Sequence, residues 1–203
     1  MHPYSTNSPA NPKLIAVLAL VSSAVSVGIG LLLKQINDAF GWTVGGVSAL
    51  ACFGVLYFVF DRYSWRWPIA RRFLLVPDLN GTWRCLGRTT SRAGKAADIE
   101  WAATITIRQS WSRIVVRLKT TQSESESIAA SLYQEPGRGY RLIYHYDNKP
   151  GVGERDLHRH SGQCDLVFAD DGRTAGGEYF TGQGRLTVGT MNLTRQENTD
   201  GTA

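Results

Sequence analysis

Two long stretches without a charged residue, both in the first third of the chain, limit what it can fold into. Leu14 to Leu33 is twenty residues and Phe40 to Phe60 is twenty-one, with no Asp, Glu, Lys or Arg in either. Each is long enough to cross a hydrocarbon core of about 30 Å as a helix. Between them, Lys34 to Ala39 leaves room only for a tight turn. The pair is therefore predicted to form a transmembrane helical hairpin with spans at 14–33 and 40–60. A cleaved signal peptide fits poorly, because the first run exceeds an ordinary h-region and a second follows at once.

Charge gives the hairpin an orientation. The chain carries a net +5, which on its own suggests a nucleic-acid partner. Residues 1–72 hold six Lys and Arg against two acids, and residues 73–203 hold 16 against 15, so the basicity belongs to the membrane segment. Arg62, Arg66, Arg71 and Arg72 follow the second stretch, while the turn carries only Lys34 and Asp38. The positive-inside rule then places both termini in the cytoplasm. Tyr57, Tyr63, Trp65 and Trp67 suit an aromatic belt at that exit, with Phe40 and Trp42 marking the other face. Ser22, Ser26 and Gly30, and again Gly41, Gly45 and Ala49, recur every four residues, which lets helix backbones approach closely within a hairpin or between chains. Cys52, Cys85 and Cys164 are too scattered for a disulfide framework and suit a reducing compartment.

From Leu79 to Arg195 no 3.6-residue apolar period persists for the length of a helix. Short alternating runs broken by Gly, Asp, Asn and Pro replace it, and eight strands are predicted: Gly81–Arg88, Ile99–Gln109, Arg113–Thr120, Ser123–Gln134, Arg138–Asn148, Arg159–Phe168, Arg173–Thr181 and Arg185–Thr194. Turn signals stand at 92–94, 135–137, 148–153, 170–172 and 182–184. Eight sequential strands avoid exposed edges by closing into an antiparallel up-and-down barrel, whose interior can hold one small ligand. Gly81-Thr82-Trp83 on the first strand and Arg195 at the end of the last resemble the lipocalin-like (calycin) pairing, in which Arg covers the indole. The fold class is thus an N-terminal transmembrane α-helical hairpin followed by an all-β domain. Residues 1–12 are read as a disordered N-terminus, 13–61 as the two membrane helices, 62–78 as a basic juxtamembrane linker, 79–195 as the barrel and 196–203 as a disordered tail.

Strand parity supplies candidate pocket residues. Tyr144 and Tyr146 share a face, as do Ser123, Ser125 and Ser127, opposite Glu124 and Glu126. Gln109 follows the parity of Trp101, Ile105 and Ile107, and Tyr179 that of Thr181. Flat rings suit stacking on bases, and hydroxyls and amides suit sugar and phosphate oxygens. Catalytic readings are weaker. His158, His160 and Cys164 lack a second ligand pair for zinc. The nucleophile elbow, the His-Glu-x-x-His pair, the phosphate loop and the dinucleotide fingerprint are all missing from the sequence. No catalytic residue, metal or cofactor is assigned.

Two N-terminal spans, an arginine-rich exit and an eight-stranded barrel together resemble the two-transmembrane, β-strand-rich, STING-like effectors of CBASS, a cyclic-oligonucleotide-based antiphage defence. The resemblance runs from about residue 12 to 195. It is carried by the architecture and by Pro77–Trp83, Ile107–Trp111, Leu142–Pro150, His160–Gly162 and Gly177–Thr181. It implies a cytosolic barrel that binds a cyclic dinucleotide made by a partner CD-NTase during infection. It also implies oligomerisation and disruption of the bacterial inner membrane, which kills the infected cell, with no polymeric nucleic acid as partner. On that reading Tyr144, Tyr146 and Tyr179 meet bases and sugars, Ser125, Ser127, Thr181 and Gln109 meet polar edges, and one of Arg88, Arg108 or Arg185 meets a phosphate. The alternatives are a membrane-anchored barrel for a lipid or other apolar ligand, and a non-catalytic scaffold.

Overall fold

The computed structural model describes residues 1–8, 11–41, 45–91, 99–151, 159–182 and 186–197. It divides into two compact units, Ser8–Leu75 and a β unit of Met1–Asn7 with Val76–Ala203. In the first unit, α1 runs over Asn11–Phe40 and α2 over Ala49–Arg62. The turn predicted at 34–39 is instead the last part of α1. Nothing from Lys34 to Ala39 breaks a helix, and the stop comes at Gly41, whose φ of +66° ends the turn in the left-handed region that glycine adopts without strain. The second apolar stretch is likewise not one helix. Gly45 and Gly46 disfavour an early start, and α2 begins only after Ser48, whose Oγ accepts the Ala51 N–H at 3.2 Å. Among the described residues one helix, Pro12–Phe40, is long and apolar enough to cross a membrane.

Within this unit Ser22 is buried and Ser26 Oγ donates to the Val47 carbonyl at 2.6 Å, so part of the first small-residue stripe faces the chain entering α2. The predicted linker is folded: a 3₁₀ turn at Ser64–Arg66 leads into α3, Pro68–Leu74, with Pro68 in its first turn and Leu75 at φ +54° closing it. Of the four aromatics predicted to form a belt at this exit, Trp65 is fully buried while Tyr63 and Trp67 are exposed. Trp42 lies outside the described residues.

In the β unit nine strands are present among the described residues. These are β1 His2–Thr6, β2 Gly81–Ser91, β3 Ile99–Gln109, β4 Arg113–Lys119, β5 Ser123–Glu135, β6 Gly139–Pro150, β7 His160–Phe168, β8 Thr174–Thr181 and β9 Thr187–Arg195. The sheet closes on itself in the order β1-β4-β3-β2-β9-β8-β7-β6-β5. Strands β2 to β9 follow one another antiparallel, and β9 returns to β2 from Trp83↔Arg195 to Ser91↔Thr187. They match the eight predicted runs within a few residues.

The ninth strand is a correction, since residues 1–12 were expected to be disordered. β1 sits between β4 and β5, antiparallel to the first (His2↔Ile114) and parallel to the second (Tyr4↔Ala130 to Thr6↔Leu132). The gap it fills has a cause in β5. Direct β4–β5 pairing covers only Arg117↔Glu126 to Lys119↔Glu124, and beyond it a bulge between Ser127 and Ala129 bends β5.

One end of the barrel is packed shut. Trp83, Phe168, Leu79, Ile105, Leu142, Leu166 and Leu193 are almost wholly buried, and Trp83 meets Phe168 edge to face at 5.1 Å. The Arg195 guanidinium lies 5.4 Å from the Trp83 ring centre and donates to the carbonyls of Asn80, Asp78 and Gly172. Gly81, at φ +135°, lies under that guanidinium, where a Cβ would stand 3.4 Å from Arg195 Nε. The Gly-x-Trp and terminal Arg are therefore one structural device.

Candidate functional site

Alternation decides what the opposite end can do. On β5, Ser125 and Ser127 are buried while Glu124 and Glu126 are exposed, so hydroxyls point inward and carboxylates outward. On β6 the inward set is Leu142, Tyr144, Tyr146 and Asn148, and on β7 it is His160, Gly162, Cys164 and Leu166. The barrel is thus apolar towards Trp83 and polar towards the end where β5 begins and β6 ends.

Two rings lie flat on the inner wall there because the strands beneath them carry glycine. A Cβ at Gly87 would collide with the Trp101 ring, and one at Gly189 would stand 2.6 Å from Tyr179 Cε1. Trp101 and Tyr179 meet edge to face at 5.7 Å. Thr89 ties them together: its Oγ1 accepts the indole N–H at 2.9 Å and lies 2.5 Å from the Tyr179 hydroxyl. Ser127 Oγ accepts the Val116 N–H at 2.9 Å and stands 2.7 Å from His2 Nε2. Thr181 Oγ1 pairs with Thr187 Oγ1 at 2.7 Å. On the rim of β4, β5 and β6 an open groove of about 610 Å³ is lined by Lys119, Ser123, Glu124, Ser125, Asp147 and Lys149 among others. Arg159 bonds both oxygens of Asp147 and holds its carboxyl below the usual range.

The structure separates the predicted site residues. Ser125, Ser127, Tyr146, Tyr179 and Thr181 come together at the polar end. Tyr144 is 3 % exposed, is hydrogen-bonded to Cys164 and belongs to the packed wall; desolvation raises its hydroxyl pKa well above the ordinary value. Gln109 is taken up at the closed end, where Oε1 accepts the Leu79 N–H at 3.0 Å and Nε2 donates to the Tyr4 hydroxyl at 3.1 Å. Arg88 and Arg108 are on the outer face, as their parity with respect to Trp83 and Ile107 requires. Arg185 lies outside the described residues, as do His158 and the turns at 92–94, 152–153 and 183–184. The sequence reading missed Thr89 and Asn148, although each shares parity with a residue it used, Trp83 and Tyr146, and it weighed His160 only as a metal ligand, not as part of this wall.

Residues 74–195 match the family model described as the Cap15 cyclic dinucleotide receptor domain, and residues 13–66 match the model of the Cap15 TM helices. The chain belongs to the Cap15 family. A Cap15 relative from Yersinia aleksiciae, CD-NTase-associated protein 15, is 36% identical over 193 residues, covering 92% of this chain and 91% of its own length. The receptor match spans all of β2 to β9, so the polar end lies inside the Cap15 cyclic dinucleotide receptor domain. The apolar N-terminal helix lies inside the Cap15 membrane segment. The resemblance to CBASS effectors read from the sequence is thereby confirmed at the level of a membrane-associated cyclic dinucleotide receptor.

Proposed function

We propose that the barrel binds a cyclic dinucleotide at its polar end, that the messenger is the product of a partner CD-NTase, and that occupancy leads the chain to oligomerise and disrupt the inner membrane of the infected cell. In this reading β2 to β9 form a calycin-like up-and-down barrel on the cytoplasmic side, held by two membrane spans. The observation that carries it is the pair of rings seated on glycines beside a ring of hydroxyls. Trp101 and Tyr179 are flat rings held at the inner wall that suit a base, while Ser125, Ser127 and Thr181 are hydroxyls that suit sugar and phosphate oxygens. A lipid or other apolar ligand would make no use of the hydrogen-bonding capacity those hydroxyls keep beyond their partners within the protein, since each has one O–H donor and two acceptor lone pairs. The chain acts as a receptor in this account, and none of its residues is given a catalytic role.

The test is thermal stabilisation of the full chain in detergent by a panel of cyclic dinucleotides. A ligand at a hundred times its dissociation constant stabilises the folded state by about 2.7 kcal/mol, a clear rise in melting temperature. No rise with any member of the panel, alongside a rise with fatty acids or lysolipids, would replace the reading with the apolar-ligand one.

A further inference from the structure

A cyclic dinucleotide carries two phosphate charges, yet among the described residues the inner wall at the polar end holds no Lys or Arg. Its basic groups are imidazoles: His160 from β7 and His2 from β1. His2 is placed there by a strand with a well-specified seat. Tyr4 of β1 accepts from Gln109 and donates to the Ser110 carbonyl at 3.4 Å. Ser5 Oγ stands 2.6 Å from Ser131 Oγ. Asn7 clamps Gln134 through both its amide atoms, donating to the carbonyl at 3.3 Å and accepting the N–H at 3.1 Å. The Pro3 carbonyl can only accept, so His2 Nδ1, 2.9 Å away, carries the hydrogen and leaves Nε2 directed at Ser127.

We infer that β1 is part of the ligand site, with His2 supplying a charged imidazole donor to a phosphate oxygen of the bound cyclic dinucleotide beside Ser127. The inference rests on the receptor reading and adds a residue that no strand of β2 to β9 provides. A phosphate oxygen arriving at this point takes the Ser127 hydroxyl hydrogen and the Nε2–H of the imidazolium, the shorter and stronger kind of hydrogen bond. Coupling of this sort is reciprocal: a ligand that holds His2 also holds β1 in its seat. Because β1 ends at Thr6 and α1 begins at Asn11, the strand that completes the site is the one that leads directly into the membrane helix.

The experiment is calorimetric titration of the full chain in nanodiscs with the cyclic dinucleotide that stabilises it most. His2→Ala is expected to weaken binding about ten- to a hundred-fold, the size of a lost hydrogen bond to a charged group, and His2→Gln, which keeps a donor, to weaken it less. A second variant separates the imidazole from the seating of the strand. Ser5→Cys with Ser131→Cys, oxidised, fastens β1 to β5, and His2→Ala in that background still loses affinity if the imidazole meets the ligand. Wild-type affinity in His2→Ala, or its recovery in the fastened His2→Ala chain, overturns the inference. If Tyr179→Ala abolishes binding while His2→Ala does not, the receptor reading stands and the role of β1 falls. If the unmutated chain binds no cyclic dinucleotide, both fall.

Discussion

A methyl group at Gly87 has nowhere to go but into the Trp101 ring, and one at Gly189 meets both Tyr179 and the Arg88 carbonyl. Gly87→Ala is therefore expected to push the indole off the wall towards the interior, costing about 1–3 kcal/mol in stability by overpacking and, if the ring meets the ligand, lowering affinity. Melting and ligand titration of the same sample read both effects. The tyrosines divide by the same logic. Tyr179→Ala removes a ring at the polar end and is expected to lower affinity with a modest change in melting. Tyr144→Ala empties a packed site and is expected to cost about 3–5 kcal/mol whether or not ligand is present. Buried thiols add a pH dependence. Burial pushes Cys85 and Cys164 from about 9 up to about 12, and Tyr144 rises with them. The unfolded chain gives up these protons first, so their contribution to stability is full below pH 9 and is lost as pH climbs towards 12. Melting temperature should fall over that window, and the fall should be shallower in Cys85→Ala/Cys164→Ala. Parallel curves for the two chains would exclude the thiols as its source. Parity made most of this wall readable from sequence, since Ser125, Ser127 and Tyr146 follow from alternation alone. The same rule places Arg88 and Arg108 on the outer face, where no ligand inside the barrel reaches them.

Strands were more legible than the segments that join or interrupt them. Ser-Glu-Ser-Glu on β5 announces one buried and one solvated face. His-Pro-Tyr-Ser-Thr announces nothing, because β1 owes its existence to partners more than a hundred residues away. The α1–α2 link was misread for the opposite reason: hydropathy extends through Gly41 to Ser48, but helix propensity does not. The bulge at Ile128 connects these elements. It lies where β4–β5 pairing ends and shortly before β1–β5 pairing begins, with Ile128 itself exposed. Deleting Ile128 is expected to straighten β5, extend its pairing with β4 and squeeze β1 from the gap. The yield of the Ser5→Cys/Ser131→Cys disulfide reports this directly. It should drop in the deletion variant, and an unchanged yield would show that the bulge does not hold the gap open.

At the scale of the whole molecule, one sheet contains both residues 2–6 and the strands between Gly81 and Arg195, and that restricts how the chain can meet a bilayer. β1 pairs with β4 and β5, so residues 2–6 and 81–195 lie in the same compartment. A single crossing by α1 would place them on opposite sides and tear β1 out of the sheet, so the chain between Thr6 and Gly81 must cross an even number of times. α1, at 30 residues, spans about 45 Å, more than the hydrocarbon thickness; α2, at 14, spans about 21 Å, less than it. A return crossing by α2 alone would fall short of that thickness. The proposed orientation, with both ends in the cytoplasm, rests on Arg62, Arg66 and Arg71 at the far end of α2 against Lys34 and Asp38 near the link. The expected result is a fluorescent GFP fusion at the C-terminus, an inactive alkaline phosphatase fusion at the same point, and an active phosphatase inserted after Gly41. Active phosphatase at the C-terminus would mean that α1 crosses alone, and would be incompatible with β1 in the sheet. Replacing the arginines at 62, 66 and 71 by Gln should weaken the orientation without disturbing the barrel, since none of them belongs to the β unit.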